Sequence, residues 1–230
     1  GPVSSIYGAE AIGGAINFIS QKPTAVPTVK AGFQFDQYGY KRFQFGAGAQ
    51  VKKLGIYVGG ITSEQTNSWM TYSDYKKNSF NLRLDYQLSE KTRLIGNMIY
   101  NDYYSDMTGS VDSISFYSRT YKSTNDFAYR KSLAIRSKIK LEHEWKKGAN
   151  SSLTIFQRKN EMGQNPSYMI RWTPKSSVAS GQINSNNFTS YGAVGQHQQK
   201  FSFLKSTLIV GATYDYSPND YWAYKLDLYA

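Results

Sequence analysis

Arginine and aromatic side chains, rather than nucleophiles or metal ligands, are the residues of this sequence that could do chemistry. The 230 residues include no cysteine and two histidines, His143 and His197. A thiolate metal site is therefore excluded, and neither histidine has a second histidine or a cysteine nearby to support a metal site. The sequence contains no Gly-x-Ser-x-Gly and no His-Glu-x-x-His motif. We therefore expect no enzyme activity and no resident metal or cofactor.

Two predicted loops, 104–128 and 163–198, combine aromatic rings with arginine. Rings stack on planar ligands, and guanidinium groups form charge-assisted hydrogen bonds with anions. The same aromatic residues could instead only pack the loops together, and the sequence leaves both interpretations open. The candidate ligand-binding residues are Tyr104, Tyr117, Arg119, Tyr121, Tyr168, Arg171 and Trp172.

The segments that must position these loops read as amphipathic strands. In residues 132–142, Leu133, Ile135, Ile139 and Leu141 alternate with polar residues, which is the period of two that a half-buried strand requires. Helical periodicity is nearly absent. The same alternation occurs in 28–36, 41–50, 80–88 and 208–216.

The lengths of the strands and of their connections both favour a transmembrane β-barrel. The strands run about 9–14 residues, close to the roughly 9–11 that a tilted strand needs to cross a bilayer and longer than the roughly 5–6 usual in soluble sheets. Short turns alternate with long loops, as in outer-membrane barrels. The pattern predicts eight strands and the start of a ninth. The predicted short turns are 37–40, 51–55, 88–91, 145–150 and 217–220, and the predicted loops are 65–77, 104–128 and 163–198.

Aromatic residues near the predicted short turns indicate an interfacial girdle, in which the ring lies among acyl chains and the polar tip among headgroups. His143 is in phase with Trp145 and is expected to join this girdle, whereas His197 is expected to lie in a loop. The girdle residues predicted with them are Tyr86, Trp145, Tyr216, Tyr221 and Trp222.

The net charge of +11 does not indicate a nucleic-acid-binding protein, because the basic residues are spread along the whole chain. In a barrel, many of them would face the lumen. A solvated lumen wall and attraction of an anionic solute both explain them, and the sequence does not decide between the two. The predicted lumen residues are Arg42, Arg83, Arg93, Arg136, Lys138 and Lys140.

Residues 1–23 do not continue the strand pattern and carry a glycine-rich motif instead. Its residues are Gly1, Ser5, Tyr7, Gly8, Ala11, Gly13, Gly14, Ile16, Asn17, Lys22 and Pro23. This segment resembles the end of the plug domain of TonB-dependent outer-membrane receptors of the siderophore and cobalamin type. The resemblance implies that 1–23 is the C-terminal end of a plug and that 24–230 is the N-terminal part of a barrel of roughly 22 strands.

The resemblance also implies a function. Such a receptor, in the outer membrane, takes up a scarce large solute, most often a ferric siderophore, so that iron enters only as part of the transported chelate. The implied partners are the siderophore-like ligand, outer-membrane lipid and a TonB-type energy-transducing inner-membrane complex. We expect the segment that contacts that complex to lie outside this chain.

Three alternatives stay open at this stage. They are a cobalamin or other nutrient receptor of the same family, a passive porin and an adhesin barrel. The plug-like residues 1–23 count against the porin.

Overall fold

The chain folds as a single antiparallel sheet with almost no helix. The computed structural model describes residues 19–109, 111–121, 127–165, 171–172 and 178–229. No helix among them is long and apolar enough to cross a membrane. The plug-like motif residues Tyr7, Gly8, Gly13, Gly14 and Asn17 lie outside the described residues, so the predicted boundary between 23 and 24 stays a prediction. The strands are β1 (Thr28–Phe35), β2 (Tyr40–Val51), β3 (Leu54–Gln65), β4 (Tyr75–Ser89), β5 (Thr92–Asp106), β6 (Tyr129–Lys146), β7 (Ala149–Asn165), β8 (Arg171–Trp172), β9 (Val178–Lys200), β10 (Thr207–Tyr216) and β11 (Asn219–Tyr229), with one helix, α1 (Ser113–Tyr117), and a 3-10 turn at Phe203–Lys205.

Each strand pairs with the next one along the chain from β1 to β7, and β7 then pairs with β9. Strand β9 pairs with β7 through 184–199, with β10 through 191–200 and with β11 through 178–188. The two-residue β8 pairs with Ser180 and Ala179 of β9. This up-and-down topology confirms the predicted all-β antiparallel barrel strands.

Connections at the two ends of the sheet differ in length, as predicted, except that the short turn 36–39 lies at the same end as the longer loops and the six-residue connection 201–206 lies at the other end. At one end, hereafter the short-turn end, the strands are joined by residues 52–53, 90–91, 147–148 and 201–206. At the other, hereafter the loop end, they are joined by 36–39, 66–74, 107–128 and 166–177. This is the arrangement of outer-membrane barrels, in which the longer loops lie on the extracellular side.

The predicted loop 163–198 is wrong in most of its length. Strand β7 continues to Asn165 and β9 begins at Val178. His197 and Tyr191 therefore lie in a strand. The residues of β9 are rich in Asn, Gln, Ser and Gly, which have weak strand propensity. They form a strand because β7 on one side and β10 and β11 on the other supply hydrogen-bonding partners, and this tertiary context overrides propensity.

The predicted short turn at 217–220 is also wrong. Tyr216 pairs with Tyr191 and Asn219 pairs with Phe188, so β10 and β11 follow β9 in one direction and in one register. Pro218 interrupts the pairing because it has no N–H to donate, and proline is tolerated on a strand at the edge of a sheet. The actual turn is 201–206. Tyr216, Tyr221 and Trp222 therefore do not flank a short turn, and the girdle prediction for these three residues is wrong.

The sheet has an inverted distribution of polar and apolar residues. The inner face carries the four buried polar residues of the described chain, which are Ser63, Arg83, Asn97 and Ser190. On the outer face, large apolar side chains are exposed, for example Ile155 at 60%. Such a sheet is stable only with hydrocarbon against its outer face, and we identify it as part of a transmembrane barrel. Other exposed residues of this face are Val29, Phe33, Phe35, Phe43, Phe45, Ile56, Leu84, Met98, Ile139, Leu141, Leu153, Leu208, Val210 and Tyr214.

The side chains predicted to form a girdle lie on the outer face beside the turns 90–91 and 147–148, while their place at a membrane interface stays a prediction. The rings of His143 and Trp145 meet edge to face at 4.4 Å. Trp145 Nε1 donates to Ser151 Oγ over 2.8 Å, and Ser151 Oγ lies 2.9 Å from His197 Nδ1. Tyr86 lies on the same outer face, paired with Leu54 and Leu94.

Opposite faces of one strand provide a test of this orientation. We expect Ile155→Arg to reduce assembly, because an arginine facing lipid near the bilayer centre costs about 2–4 kcal/mol. The matched control is Thr154→Arg, one residue away on the inner face, which should assemble normally. The folded fraction can be measured by heat-modifiable migration on gels of outer-membrane preparations. Equal assembly of the two variants would contradict the assignment of faces.

Candidate functional site

The segment that precedes the first strand, residues 19–27 (the tail segment), packs against the inner face. Arg83 Nη1 donates to the Ser20 carbonyl oxygen over 3.2 Å, and Asn97 Nδ2 donates to Ser20 Oγ over 3.1 Å. Further along, Thr24 Oγ1 donates to the Gly48 carbonyl oxygen over 2.9 Å. These contacts attach the tail segment to β2, β4 and β5.

Arg83 is held in place from two directions. Its Nε and Nη2 donate to the two carboxylate oxygens of Asp85 over 2.8 and 3.0 Å, which is a bidentate pair. The Arg83 side chain is 6% exposed. A buried guanidinium needs such a partner, because leaving it unpaired would cost several kcal/mol. The pair therefore presents Arg83 Nη1 to Ser20 in a fixed geometry.

Gly55 provides the space for the tail segment on β3. A Cβ atom at this position would lie 2.8 Å from Pro23 Cβ and 2.9 Å from Pro23 Cγ. A proline ring cannot turn away as a flexible side chain could. A residue larger than glycine at position 55 would therefore push the tail segment off the wall.

Nearer the loop end, the inner face carries a basic and aromatic cluster, hereafter the upper inner wall. It consists of Tyr40, Arg42, Tyr75, Lys77 and Tyr103. Lys77 is the register partner of Tyr103, and the Tyr75 and Tyr103 ring centroids are 6.5 Å apart. Arg42 Nη2 donates to Gln44 Oε1 over 2.7 Å, but the buried Arg42 Nε has no partner within the described residues. Neither cation has a carboxylate within ion-pair distance among those residues.

Above this wall, two loops are held together by aromatic contacts. The rings of Trp69 and Tyr121 meet edge to face at 4.7 Å, and the backbone N–H of Thr71 donates to the Tyr121 carbonyl oxygen over 3.5 Å. Phe116 packs against Tyr121 at 6.5 Å and against Tyr117 at 5.5 Å. Loop 66–74 thus supports loop 107–128 at the same end of the sheet as the upper inner wall.

Helix α1 positions two of these rings. Asp112 caps it by accepting a hydrogen bond from the backbone N–H of Ser115 over 2.6 Å, which holds the pKa of the Asp112 carboxyl below its ordinary value. The helix ends at Tyr117, and Arg119 has a left-handed backbone with φ 58°. This turn directs the chain back to Tyr121 and to its contact with Trp69.

The structure brings together some of the residues proposed from the sequence and separates others. Tyr117, Arg119 and Tyr121 lie in loop 107–128 as predicted, although that loop begins at 107 and not at 104. Tyr104 is instead part of β5, on the outer face, where it stacks on Tyr129 at 5.8 Å. Its position is therefore wrong for a ligand in the lumen, and we omit it from the proposed site.

The remaining proposed residues lie in or near the connection between β7 and β9. Tyr168 lies outside the described residues. Arg171 and Trp172 form β8 and pair with β9. Their role in binding stays a prediction.

Sequence reasoning missed Trp69 and three tyrosines of the upper inner wall. The signal was present, because Tyr40 and Tyr75 share the phase of Arg42 and Lys77 at the loop end of strands whose alternation is clear. These three tyrosines lie in strands, close to where the strands end, so candidates taken from the predicted loops do not include them. Among the described residues there is no group of three or more His, Cys, Asp or Glu side chains that could hold a metal ion.

No protein-family model matches the chain, and no curated protein matches it significantly. Solved structures do match. The unliganded ferric citrate transporter FecA superposes with a TM-score of 0.76 at 14% identity, over 97% of this chain and 33% of that one. BauA, the ferric preacinetobactin receptor from Acinetobacter baumannii, superposes with a TM-score of 0.71 at 14% identity, over 89% of this chain and 32% of that one.

The ferripyoverdine receptor of the outer membrane of Pseudomonas aeruginosa is a third match, with a TM-score of 0.73 at 16% identity, over 89% of this chain and 29% of that one. At these identities the similarity establishes the fold, and it confirms the predicted resemblance at that level. The chain has the fold of the barrel of TonB-dependent receptors and spans about a third of the length of these structures.

Replacing Gly55 tests the attachment of the tail segment. In the full-length protein that contains this chain, we expect Gly55→Ala to speed amide hydrogen exchange in residues 19–24, because its Cβ would collide with Pro23. The matched control is Gly96→Ala, whose Cβ would meet only Leu84 Cβ, at 3.8 Å. Exchange can be followed by mass spectrometry of peptides. The attachment is refuted by unchanged exchange in Gly55→Ala or by an equal increase in both variants.

Replacing Trp69 tests the support between the loops. We expect Trp69→Ala to release loop 107–128, because it removes an edge-to-face contact worth about 0.5–1.5 kcal/mol beyond its buried area. Exchange should rise in 113–121 and stay constant in the strands. Trp222→Ala, on β11 at the far edge of the sheet, is the control. Identical protection of 113–121 in wild type and Trp69→Ala would remove the support we assign to this ring.

Proposed function

We propose that this chain forms the N-terminal part of the barrel of a TonB-dependent outer-membrane receptor that takes up an anionic ferric chelate of the siderophore class. The observation that carries the proposal is the upper inner wall, where Arg42 and Lys77 lie beside Tyr40, Tyr75 and Tyr103 with no carboxylate partner among the described residues. Proteins of the same fold include receptors for ferric citrate and ferripyoverdine.

The chemistry of this wall suits such a cargo. Ferric complexes of carboxylate and catecholate ligands carry negative charge and present flat, polarizable surfaces. Arg42 and Lys77 would neutralise the charge, and the tyrosines would offer ring faces and hydroxyl donors. The exposed rings of loop 107–128 would cover the cargo from outside. Iron would be part of the cargo and not a resident cofactor.

The location follows from the outer face of the sheet. Its exposed apolar residues require lipid, and the matched solved structures include a receptor of the outer membrane. Both observations support the outer membrane as its proposed location. The matched solved structures are transporters and receptors, which agrees with the absence of catalytic motifs in the sequence.

Uptake would require displacement of the plug. The tail segment is bonded to the inner face through Ser20 and Thr24, so a large solute cannot pass along that part of the wall while these contacts hold. A TonB-type complex of the inner membrane would supply the energy. This partner is inferred from the resemblance.

Removing the two cations of the upper inner wall tests the proposed binding. In the full-length receptor we expect the double variant R42Q/K77Q to bind ferric citrate on the order of tenfold more weakly, because it loses two charge-assisted contacts of about 1.5–3 kcal/mol each, partly offset by water. The matched control is K41Q/K76Q, which removes the same charge from neighbouring positions on the outer face.

Binding can be measured by tryptophan fluorescence at low ionic strength, where such contacts are strongest. Equal affinity of both double variants would contradict the assignment of these cations. If wild-type protein bound no ferric chelate but bound cobalamin, the cargo would be cobalamin and the chelate proposal would fall.

A further inference from the structure

A second basic cluster lies deeper on the inner face, on strands β6 and β7. It consists of Arg136, Lys138 and Arg158, hereafter the middle cluster. Arg136 is the register partner of Arg158, and Lys138 is two residues further toward the short-turn end. Like charges directly opposite each other on a sheet are destabilising unless something neutralises them. A negatively charged group beside Arg136 and Arg158 would therefore stabilise this part of the sheet.

The described residues do not supply a carboxylate for the whole cluster. Arg158 Nε donates to Ser190 Oγ over 2.8 Å, and its Nη2 is bonded to Asp215. Arg136 and Lys138 have no ion-pair or hydrogen-bond partner among the described residues, and both are exposed on the inner face. No described residue neutralises their cationic groups.

Nearby carboxylates are already engaged by other cations. Asp85 is bound bidentately by Arg83. Glu142 accepts from Arg93 and from Lys140, over 2.7 Å in each case. Along β6, the next inner-face carboxylate is Glu144, six residues beyond Lys138 and therefore about 20 Å away. The positive charge of Arg136 and Lys138 is thus not cancelled within the described wall.

The middle cluster borders the tail segment without being covered by its described part. Lys138 is the register partner of Asn97, whose amide holds Ser20. The other contacts of the tail segment are with β2, β3 and β4, on the side of Asn97 away from Lys138. An anion bound by Arg136 and Lys138 would lie directly beside the attachment of the plug.

The cluster also lies near the upper inner wall. From the level of Lys77 and Tyr103 to that of Arg136 and Ile99 is four residues, or about 13 Å along the strands, and from β4 to β6 is about 10 Å across. Among the described residues, a chelate released from the upper inner wall would meet Lys30 of β1 on one side and Arg136 and Lys138 on the other as the next inner-face cations without a carboxylate partner.

We propose that Arg136 and Lys138, with Arg158 behind them, form a second anion-binding site on the barrel wall, which receives a multivalent carboxylate or phosphate anion. For the transported chelate it is a station between the upper inner wall and the periplasm, and this role rests on the proposed function. The binding of a small anion does not depend on it.

The site itself is tested with inorganic pyrophosphate, a compact anion that does not need the loops. Its binding to the purified full-length receptor is measured by calorimetry at low ionic strength. We expect R136Q/K138Q to weaken pyrophosphate binding at least tenfold, whereas R42Q/K77Q retains this site. The matched control K131Q/K159Q removes the same charge from the outer face of the same two strands and should bind as wild type does.

Two results would overturn the site. One is the absence of pyrophosphate binding to wild type, which would show that carboxylates of the plug already occupy these cations. The other is equal binding to wild type and R136Q/K138Q. Heat-modifiable migration on gels shows whether each variant is folded. The charge-conserving single variants R136K and K138R should bind pyrophosphate as wild type does, because they keep the positive charge.

The role in transport is tested separately by uptake of radiolabelled ferric citrate into cells. For R136Q/K138Q we expect the affinity at the cell surface to be unchanged and the maximal uptake rate to fall on the order of tenfold. An unchanged rate would overturn the transport role. If wild-type cells took up no ferric chelate while pyrophosphate still bound as expected, the proposed function would fall and the anion site would stand.

Discussion

The pairing of every backbone N–H and C=O group in the membrane-spanning strands is the constraint on which the rest of this structure depends. Hydrocarbon offers no hydrogen-bonding partner, so the strands must satisfy one another. The register runs from β1 through β7 to β9 with two irregularities, one between Gln87 and Ser89 and one between Glu144 and Lys146. This pairing is strong enough to hold the polar sequence of β9 in a strand and to carry β10 past Pro218 into β11.

The same pairing fixes which side chains can work together. Because successive residues alternate between faces, each register row brings one inner residue from every strand to the same level. Lys77 meets Tyr103 and Arg136 meets Arg158 for this reason, although these residues are 26 and 22 positions apart in the sequence. Positively charged side chains are thereby concentrated on the inner wall, where their combined field attracts anions.

The sequence predicted the fold class, the phase of the clear strands and the inner positions of Arg42, Arg83, Arg136 and Lys138, because alternation is a local property. It did not predict β9 or the continuation of β10 into β11, since both depend on partners distant in the chain. The candidate site was predicted only in part. Tyr117, Arg119 and Tyr121 are loop residues as expected, but the contact of Tyr121 with Trp69 follows from the folded arrangement of two loops. Residue type alone placed Tyr104 in a loop, and the register places it on the outer face.

The tail segment divides the inner wall into a part that it contacts and a part that it does not. Through Ser20 it is bonded to Arg83 and Asn97, and through Thr24 it is bonded to Gly48, so it occupies the short-turn half of β2 to β5. The upper inner wall lies above it on the same strands, while the middle cluster lies beside it on β6 and β7. Among the described residues, the inner-face cations without a carboxylate partner below the upper inner wall are Lys30 on β1 and Arg136 and Lys138 on β6, which lie on either side of the strands that hold the tail segment. The strands that hold the tail segment are therefore distinct from those of the middle cluster, where we propose anion binding, although both lie at the same depth in the sheet.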